Sequence, residues 1–249
     1  MHDLFENKKR ISIIIPTLNE EKLIERSLSQ FTKELKETYN IEVIVSDGGS
    51  KDSTIEISKK YADRLILHTE KFPQNISQGR NAGAKYSQRD VLIFLNADTC
   101  IKDTDYFFSE ILKEFEKKGT AAVACRIEVF PEEEKLSDKL FHGYYNYYVA
   151  LLNKFFIGMG RGECHIIRQE NFLKTGGYDE TLAAGEDFDL YSRIRKTGKI
   201  RFRRDLLVYE SPRRYRKYGY INVFWNWTIN SISVFLFKKS VSKSWDPIR

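Results

Sequence analysis

Short apolar runs alternate with charged, helix-spaced segments through the first half of the chain. Ile11-Ser12-Ile13-Ile14-Ile15, ended by Pro16, predicts a buried strand. Leu23, Ile24, Leu28, Phe31 and Leu35 then recur at helical spacing through a charged stretch. Residues 41–45 predict a second strand, closed by the turn sequence Asp47-Gly48-Gly49-Ser50. Asp52 or Ser53 is placed to cap a helix running toward Tyr61. Residues 64–67 read as a short strand and 77–86 as a helix, before the continuous apolar strand 91–95, which ends at Asn96-Ala97-Asp98. A helix over 103–117, a strand over 121–129 and a short strand near 164–167 follow, then a turn at Gly176-Gly177-Tyr178-Asp179. Residues 186–196 predict a helix with Leu190 and Ile194 inward.

This order of elements predicts an α/β layer structure with a mostly parallel sheet. Ligands of such sheets sit beyond the carboxyl ends of the strands. Asn19, Asp47 and Asp98 each follow a predicted strand and are expected to converge on one edge. Two segments break the pattern. Residues 141–156 crowd Phe141, Tyr144, Tyr145, Tyr147, Tyr148, Phe155 and Phe156 together, which suits an acceptor-binding or membrane-facing flap, core packing, or a homodimer contact. Residues 220–237 form the most apolar run, yet Asn222, Asn226, Asn230 and Ser233 stripe it at helical spacing. An amphipathic helix fits better than a bilayer span. Its apolar face (Ile221, Phe224, Trp225, Ile229, Ile232, Leu236) suits either a membrane interface or packing on the domain.

Charge is distributed unevenly over the 249 residues, whose net charge is +6. From Arg193 to the end there are fifteen Lys/Arg and three Asp/Glu, so residues 1–192 hold twenty-six basic and thirty-two acidic groups. A basic C-terminal part facing phosphates, a membrane or nucleic acid is one explanation, and a solvated surface is the other. Cys100, Cys125 and Cys164 form no CxxC pair, so neither a disulfide framework nor a zinc site is indicated and a reducing, cytoplasmic compartment fits. The polar segment 1–10 carries no visible signal peptide, and Asn75-Ile76-Ser77 matches a glycosylation sequon only formally.

Chemistry concentrates in acidic clusters. Pro16-Thr17-Leu18-Asn19-Glu20 lacks the glycines of a P-loop or dinucleotide fingerprint, which argues against an ATPase or dehydrogenase. Asp47-Gly48-Gly49 sets a carboxylate beside backbone that permits close approach, suited to a base or ribose. Asp98 can serve as a hard ligand for Mg²⁺ or Mn²⁺, or belong to a helix-cap network with Thr99 and Asp103. Glu186 and Asp187 open a predicted helix, where the dipole favours acids. His142 and His165 join no motif and read as structural.

Taken in order, Ser12–Glu20, Ser46–Thr54, Arg80-Asn81-Ala82-Gly83-Ala84, Phe94–Thr99 and Gly185-Glu186-Asp187 resemble the motifs of family 2 glycosyltransferases of the GT-A fold, over about residues 11–215. Ser211-Pro212-Arg213-Arg214-Tyr215 is similar to a segment after the last strands in one subgroup. The resemblance implies a GT-A domain over 1–215, followed by an amphipathic helix and basic tail over 216–249 that is part of the domain or docks on a membrane. It implies that Pro16, Thr17, Glu20 and Asp47 cradle the nucleoside, with Asp47 meeting the base, and that Asn19, Gly49, Asn96 and Ala97 also belong to the donor site. Arg80 would lie near the diphosphate. Asn96-Ala97-Asp98 takes the place of the D-x-D motif, and because its first position is Asn96, Asp98 supplies the metal carboxylate alone. Asp187 would be the general base, with Glu186, Arg213 and Arg214 toward acceptor or diphosphate.

The implied reaction is inverting transfer of a sugar from a UDP- or GDP-sugar to an acceptor hydroxyl, using Mg²⁺ or Mn²⁺. Carbohydrate or lipid-linked acceptors of cell-envelope glycan or glycolipid synthesis are expected partners, at the cytoplasmic face of the membrane. Nucleic acid is not, since RNA-binding signatures are missing. A sugar-phosphate nucleotidyltransferase would need a Gly-rich basic loop where Pro16–Glu20 stands. A non-catalytic nucleotide-binding module is the other alternative.

Overall fold

Strand β1 (Ile11–Thr17) is central to an eight-stranded mixed sheet. The protein is described here from a computed structural model over residues 11–155 and 157–242. The segment 1–10, Phe156 and the end of the basic tail at 243–249 lie outside the described residues.

Beside β1 run β2 (Ile41–Asp47), β3 (Arg64–Leu67) and β4 (Val91–Leu95), all parallel. The other half contains β5 (Thr99–Ile101), β6 (Thr120–Val129), β7 (Cys164–Arg168) and β8 (Lys199–Glu210), in the overall order β3-β2-β1-β4-β7-β6-β8-β5. β7 is antiparallel to both β4 and β6, β8 is parallel to β6, and β5 is antiparallel to β8. The mostly parallel sheet expected from the sequence is therefore observed, with two antiparallel insertions.

Pro16 does not end β1. Its pairing with β4 stops at Ile14, and Thr17 already turns its carbonyl toward Gly48 at 2.8 Å. Backbone groups alternate sides along a strand, so the missing N–H of Pro16 falls where no partner strand needs it. The single helix expected over 23–35 is two, α1 (Ile24–Ser29) and α2 (Lys33–Tyr39). Thr32 interrupts them, because its side chain accepts the Leu35 N–H at 3.2 Å and starts a new helix. After α3 (Thr54–Tyr61), α4 (Ile76–Lys85) begins with a capping box between Asn75 and Gln78, which gives the sequon asparagine a local structural use.

The sheet is packed on both faces. Ile11, Ile13 and Ile15 meet α1, α2 and α5 (Thr104–Glu116) on one side. On the other, Ile14, Ile44 and Phe94 meet α4, α6 (Leu136–Lys154), α7 (Gln169–Lys174) and α8 (Glu186–Arg195). At Gly83 a Cβ would lie 2.4 Å from Ile14 Cγ2, so α4 rests directly on β1 and carries Arg80 toward the carboxyl edge of the strands. Two last helices, α9 (Arg213–Tyr218) and α10 (Tyr220–Phe237), follow β8. A boundary at residue 215 falls inside α9, and α10 packs on α8 through Phe188 and Phe235.

Candidate active site

Above the carboxyl ends of β1 and β4 opens a cleft of about 600 Å³, walled by the β1 loop, α4, the loop before β7, the start of α8, and α10. Pro16, Thr17, Glu20 and Gly48 line one part, and Asn96, Ala97 and Asp98 line the floor at the end of β4. Arg80, Glu186 and Asp187 form another wall, with Arg213 and Arg214 at the start of α9. The motifs expected to converge do so, because every strand that carries them points its carboxyl end to the same edge.

Three residues expected at the donor, Asn19, Asp47 and Gly49, build the wall from behind and do not line it. Asp47 is buried, and both its oxygens are occupied within the loop. Oδ1 accepts the N–H groups of Gly49 (2.9 Å) and Ser50 (2.8 Å), while Oδ2 accepts the hydroxyls of Thr17 (3.0 Å) and Ser50 (2.5 Å). Direct contact of this carboxylate with a base, as the sequence suggested, would require giving up these bonds; its contacts here hold Thr17 and the Gly48 backbone at the rim. Asn19 stands at φ 53°, accepts the Lys51 N–H at 2.8 Å, and so fixes the same loop.

Arg80 is buried, and its guanidinium crosses three elements. It donates to Glu186 (2.9 Å), Asn96 (3.2 Å) and the Gly162 carbonyl (2.6 Å). Arg213 bridges two more: a two-pronged contact to Glu20, both at 2.9 Å, and a contact to Asp98 Oδ2 at 3.0 Å. Burial pushes the Asp98 carboxyl above its ordinary range against the pull of Arg213. Asp187 Oδ1 accepts the Phe188 N–H at 2.7 Å. Burial, reinforced by the Glu186 charge, raises Asp187 to about 7.

The sequence reading missed a second charged cluster at the far side of the cleft. Buried Arg161 contacts Glu163 (3.3 Å), Glu210 (3.0 Å) and His142 Nδ1 (3.2 Å). His142, held at about 3 by burial and by Arg161, is a neutral acceptor there, in keeping with a structural role. Burial and the Glu163 charge lift Glu210 well above the usual carboxylate range. A signal was available: Arg161 and Glu163 are charged residues set among Gly158, Gly160 and Gly162. At Gly160 a Cβ would lie 2.4 Å from the Tyr191 ring, so the loop is glycine-rich because it is pressed on α8.

The family model for glycosyl transferase family 2 matches residues 12–176, which includes every strand end that forms the cleft floor. The chain belongs to this family. Validoxylamine A glucosyltransferase of Streptomyces hygroscopicus subsp. limoneus is 33% identical over 89 residues, 34% of this chain and 20% of that protein. Succinoglycan biosynthesis protein ExoA of Rhizobium meliloti is 27% identical over 197 residues, 75% of this chain and 58% of its own length. The match thus spans between a fifth and three fifths of these relatives. Among solved structures, the mannosyltransferase PcManGT from Pyrobaculum calidifontis, in complex with GDP-Man and Mn²⁺, superposes with a TM-score of 0.65. It is 20% identical, over 88% of this chain and 64% of that one. The fold is GT-A.

PcManGT and the glucosyl-3-phosphoglycerate synthase from Mycobacterium tuberculosis are each in complex with Mn²⁺, so the cleft of this chain can be tested for its fit to a divalent ion. Six acids line the cleft (Glu20, Asp98, Glu163, Glu186, Asp187 and Glu210) against four arginines, so an entering diphosphate meets no surplus of positive charge. That balance favours a cation accompanying the donor. Among the described residues no three His, Cys, Asp or Glu side chains are grouped to hold it. Asp98 would therefore contribute one carboxylate, with diphosphate oxygens and water completing the shell, an arrangement Mg²⁺ and Mn²⁺ accept. The residues fit an ion bound together with the donor.

Proposed function

We propose that this protein transfers a hexosyl group from a UDP- or GDP-linked donor to an acceptor hydroxyl, with inversion at the anomeric carbon. The observation that carries the reading is a half-buried carboxylate, Asp187, facing the same cleft as the Thr17–Gly48 rim and the Asp98 floor, with its proton affinity raised to about 7. A general base works best when its value lies near the working pH. In the proposed step the acceptor oxygen bonds the anomeric carbon and its proton passes to Asp187. The bond from that carbon to the diphosphate oxygen breaks, and its electron pair leaves with the diphosphate.

Thr17, Gly48 and Glu20 would receive the nucleoside. Arg213 and Arg214 would face the diphosphate and add fixed positive charge as it departs. A divalent ion held by Asp98 supplies Lewis-acid neutralisation of that charge when bound. Arg80 acts as a brace, since its donors already tie Glu186 to Asn96 and Gly162. Residues 216–249 would belong to the same functional unit, because Trp227 and Asn230 line the cleft. Synthesis of a cell-envelope glycan or glycolipid on the cytoplasmic side fits the three unpaired cysteines and the likeness to a protein named for succinoglycan biosynthesis.

The test is donor turnover with Mn²⁺ across a panel of UDP- and GDP-sugars, followed as release of the nucleoside diphosphate. Turnover of at least one donor is expected, and binding without turnover across the panel would leave only a nucleotide-binding module. Arg213 gives a sharper check, because it neutralises the carboxylate an ion would use. Arg213→Gln is expected to tighten Mn²⁺ binding without nucleotide roughly tenfold, the scale of a hydrogen bond to a charged group. Calorimetric titration reads this directly, and an unchanged Mn²⁺ affinity would remove Asp98 as the shared partner of arginine and ion.

A further inference from the structure

The amphipathic helix α10 is mounted with most of its apolar side outward, Phe224 excepted. Ile221, Trp225, Ile229, Ile232 and Leu236 are 46–74% exposed, whereas Asn230, unlike Asn222 and Asn226 of its polar stripe, is buried. The Asn230 amide is used inside: it donates to Ser242 Oγ at 2.9 Å and accepts the Val241 and Ser242 N–H groups. Packing on the protein's own domain therefore does not account for this stripe. Only the intermediate positions turn inward: Phe224 and Trp227 onto α6, and Val223 and Val234 into the interior.

A second exposed stripe runs beside it. Leu136, Leu140, Tyr144 and Tyr147 follow each other at helical spacing on α6 and are 56–72% exposed. The two stripes join where Tyr144 meets Phe224, ring centroids 5.9 Å apart. Together they form one apolar plate of the kind monomers seldom leave to water. Basic residues bound it: Lys217 precedes α10, Lys239 and Lys238 (3.5 Å from Asp189 and itself well exposed) follow it, and Lys154 ends α6. α10 itself carries no charged residue. Of the acids before α6, Glu132 pairs with Arg26 and Glu134 with Lys139.

We infer that this plate lies on the surface of an anionic lipid bilayer. Lysines at both ends of an uncharged, aromatic-rich helix match anionic headgroups around an apolar interior. A second copy fits less well. In a two-fold contact the same surface meets itself, and a helix basic at both ends and free of acids brings lysine against lysine. Crossing the membrane is not the alternative, as no described helix is long and apolar enough to do so.

The geometry has a consequence for the acceptor, which rests on the transferase reading above. Trp227, Asn230 and Ser231 line the cleft from the opposite side of α10, so one helix diameter, about 10 Å, separates cleft from plate. A helix sunk into the headgroup layer holds the cleft mouth at the height of a hydroxyl carried by a membrane-anchored lipid. The acceptor class this favours is a lipid-linked one.

Flotation with vesicles tests the docking independently of catalysis. The full chain is expected to float with vesicles of phosphatidylcholine and phosphatidylglycerol. The Trp225→Glu/Ile232→Glu/Leu236→Glu variant, altered only at exposed positions, should stay in the bottom fraction with an unchanged far-ultraviolet spectrum. Lys238→Ala/Lys239→Ala should lower partition roughly fivefold per lysine, and added salt should do the same. Wild type that fails to float overturns the inference. So does a concentration-dependent dimer that the triple variant abolishes in the absence of flotation, since a second copy would then be the occupant. Flotation without turnover of any donor would remove the transferase reading and leave the docking surface standing.

Discussion

Asp187→Asn is expected to lower sugar transfer by about 10²–10⁴-fold, the usual contribution of a positioned base. The amide is isosteric and its oxygen can still accept the Phe188 N–H, so the start of α8 should keep its shape. The pH dependence follows from the same burial. Asp187 must be ionised to take a proton, so wild-type activity should rise with pH and level off above about 7. Glu186→Gln removes the neighbouring negative charge that helps to raise Asp187, and it frees Arg80 to stabilise the ionised form. Both changes move the acid limb to lower pH. Full transfer by Asp187→Asn, or an acid limb unmoved in Glu186→Gln, would sink the assignment.

The same variant should be more stable than the wild type at alkaline pH. In the folded protein Asp187 keeps its proton between its ordinary value of 3.8 and about 7, whereas the unfolded chain releases it. Folded stability therefore declines as pH rises through that window and stays reduced above it. Each pH unit of the window corresponds to about 1.4 kcal/mol at most. For a domain of this size, 1 kcal/mol moves Tm by about 2–4 °C. Asp187→Asn should melt several degrees higher than wild type at pH 8 and alongside it near pH 4. The cost of holding an ionisable base out of water is then visible as stability regained.

Arg80→Met is expected to have the largest effect on the fold, a loss of about 3–5 kcal/mol. The substitution keeps the buried aliphatic stem but leaves the Glu186 carboxylate, the Asn96 oxygen and the Gly162 carbonyl without their donor. These groups sit on α8, the end of β4 and the loop before β7, so the cleft walls should loosen together. Adding Glu186→Gln should restore part of the loss, because the uncompensated buried charge is gone. Thermal denaturation of the two single variants and the double variant measures the coupling. Arg80→Met that melts with the wild type would show that the guanidinium is not a brace. Removal of its positive charge should also shift the Asp187 acid limb to higher pH, opposite to Glu186→Gln.

Much of this architecture was legible from local pattern. β4 spans the predicted apolar run, and α10 spans the predicted 220–237, because continuous apolar runs and helical spacing are properties of neighbouring residues. Asp103 caps α5 by accepting the Tyr106 N–H at 3.0 Å, a signal contained within four residues. Two strands were not read in this way, the short β5 and the twelve-residue β8. β5 has three residues and takes its identity from pairing with Val208–Glu210 far along the chain. β8 reads as charged, Lys199-Ile200-Arg201-Phe202-Arg203-Arg204, and its arginines are held by acids on α5: Arg203 by Glu110 and Glu114, Arg201 by Glu114.

The sequence by itself determined which strands end in chemistry: Pro16–Glu20, Asp47–Ser50 and Asn96–Asp98 are local strings, as is Gly185–Asp187 at the start of α8, and parallel strands bring their ends to one edge. It did not determine where each side chain points once there. Asp47 turned inward because Thr17, at the end of β1, and Ser50, in the loop after β2, both donate their hydroxyls to its Oδ2. Arg161, Glu163 and Glu210 became one cluster because β7 and β8 reach the same edge from opposite sides of β6. Periodicity assigned an apolar and a polar side to α10, while the partners of Asn230 decided that this one member of the polar stripe is buried and Asn222 and Asn226 are not. Spacing along a chain sets which residues share a face. Which face is covered depends on contacts between segments remote in sequence, and only the tertiary structure contains those.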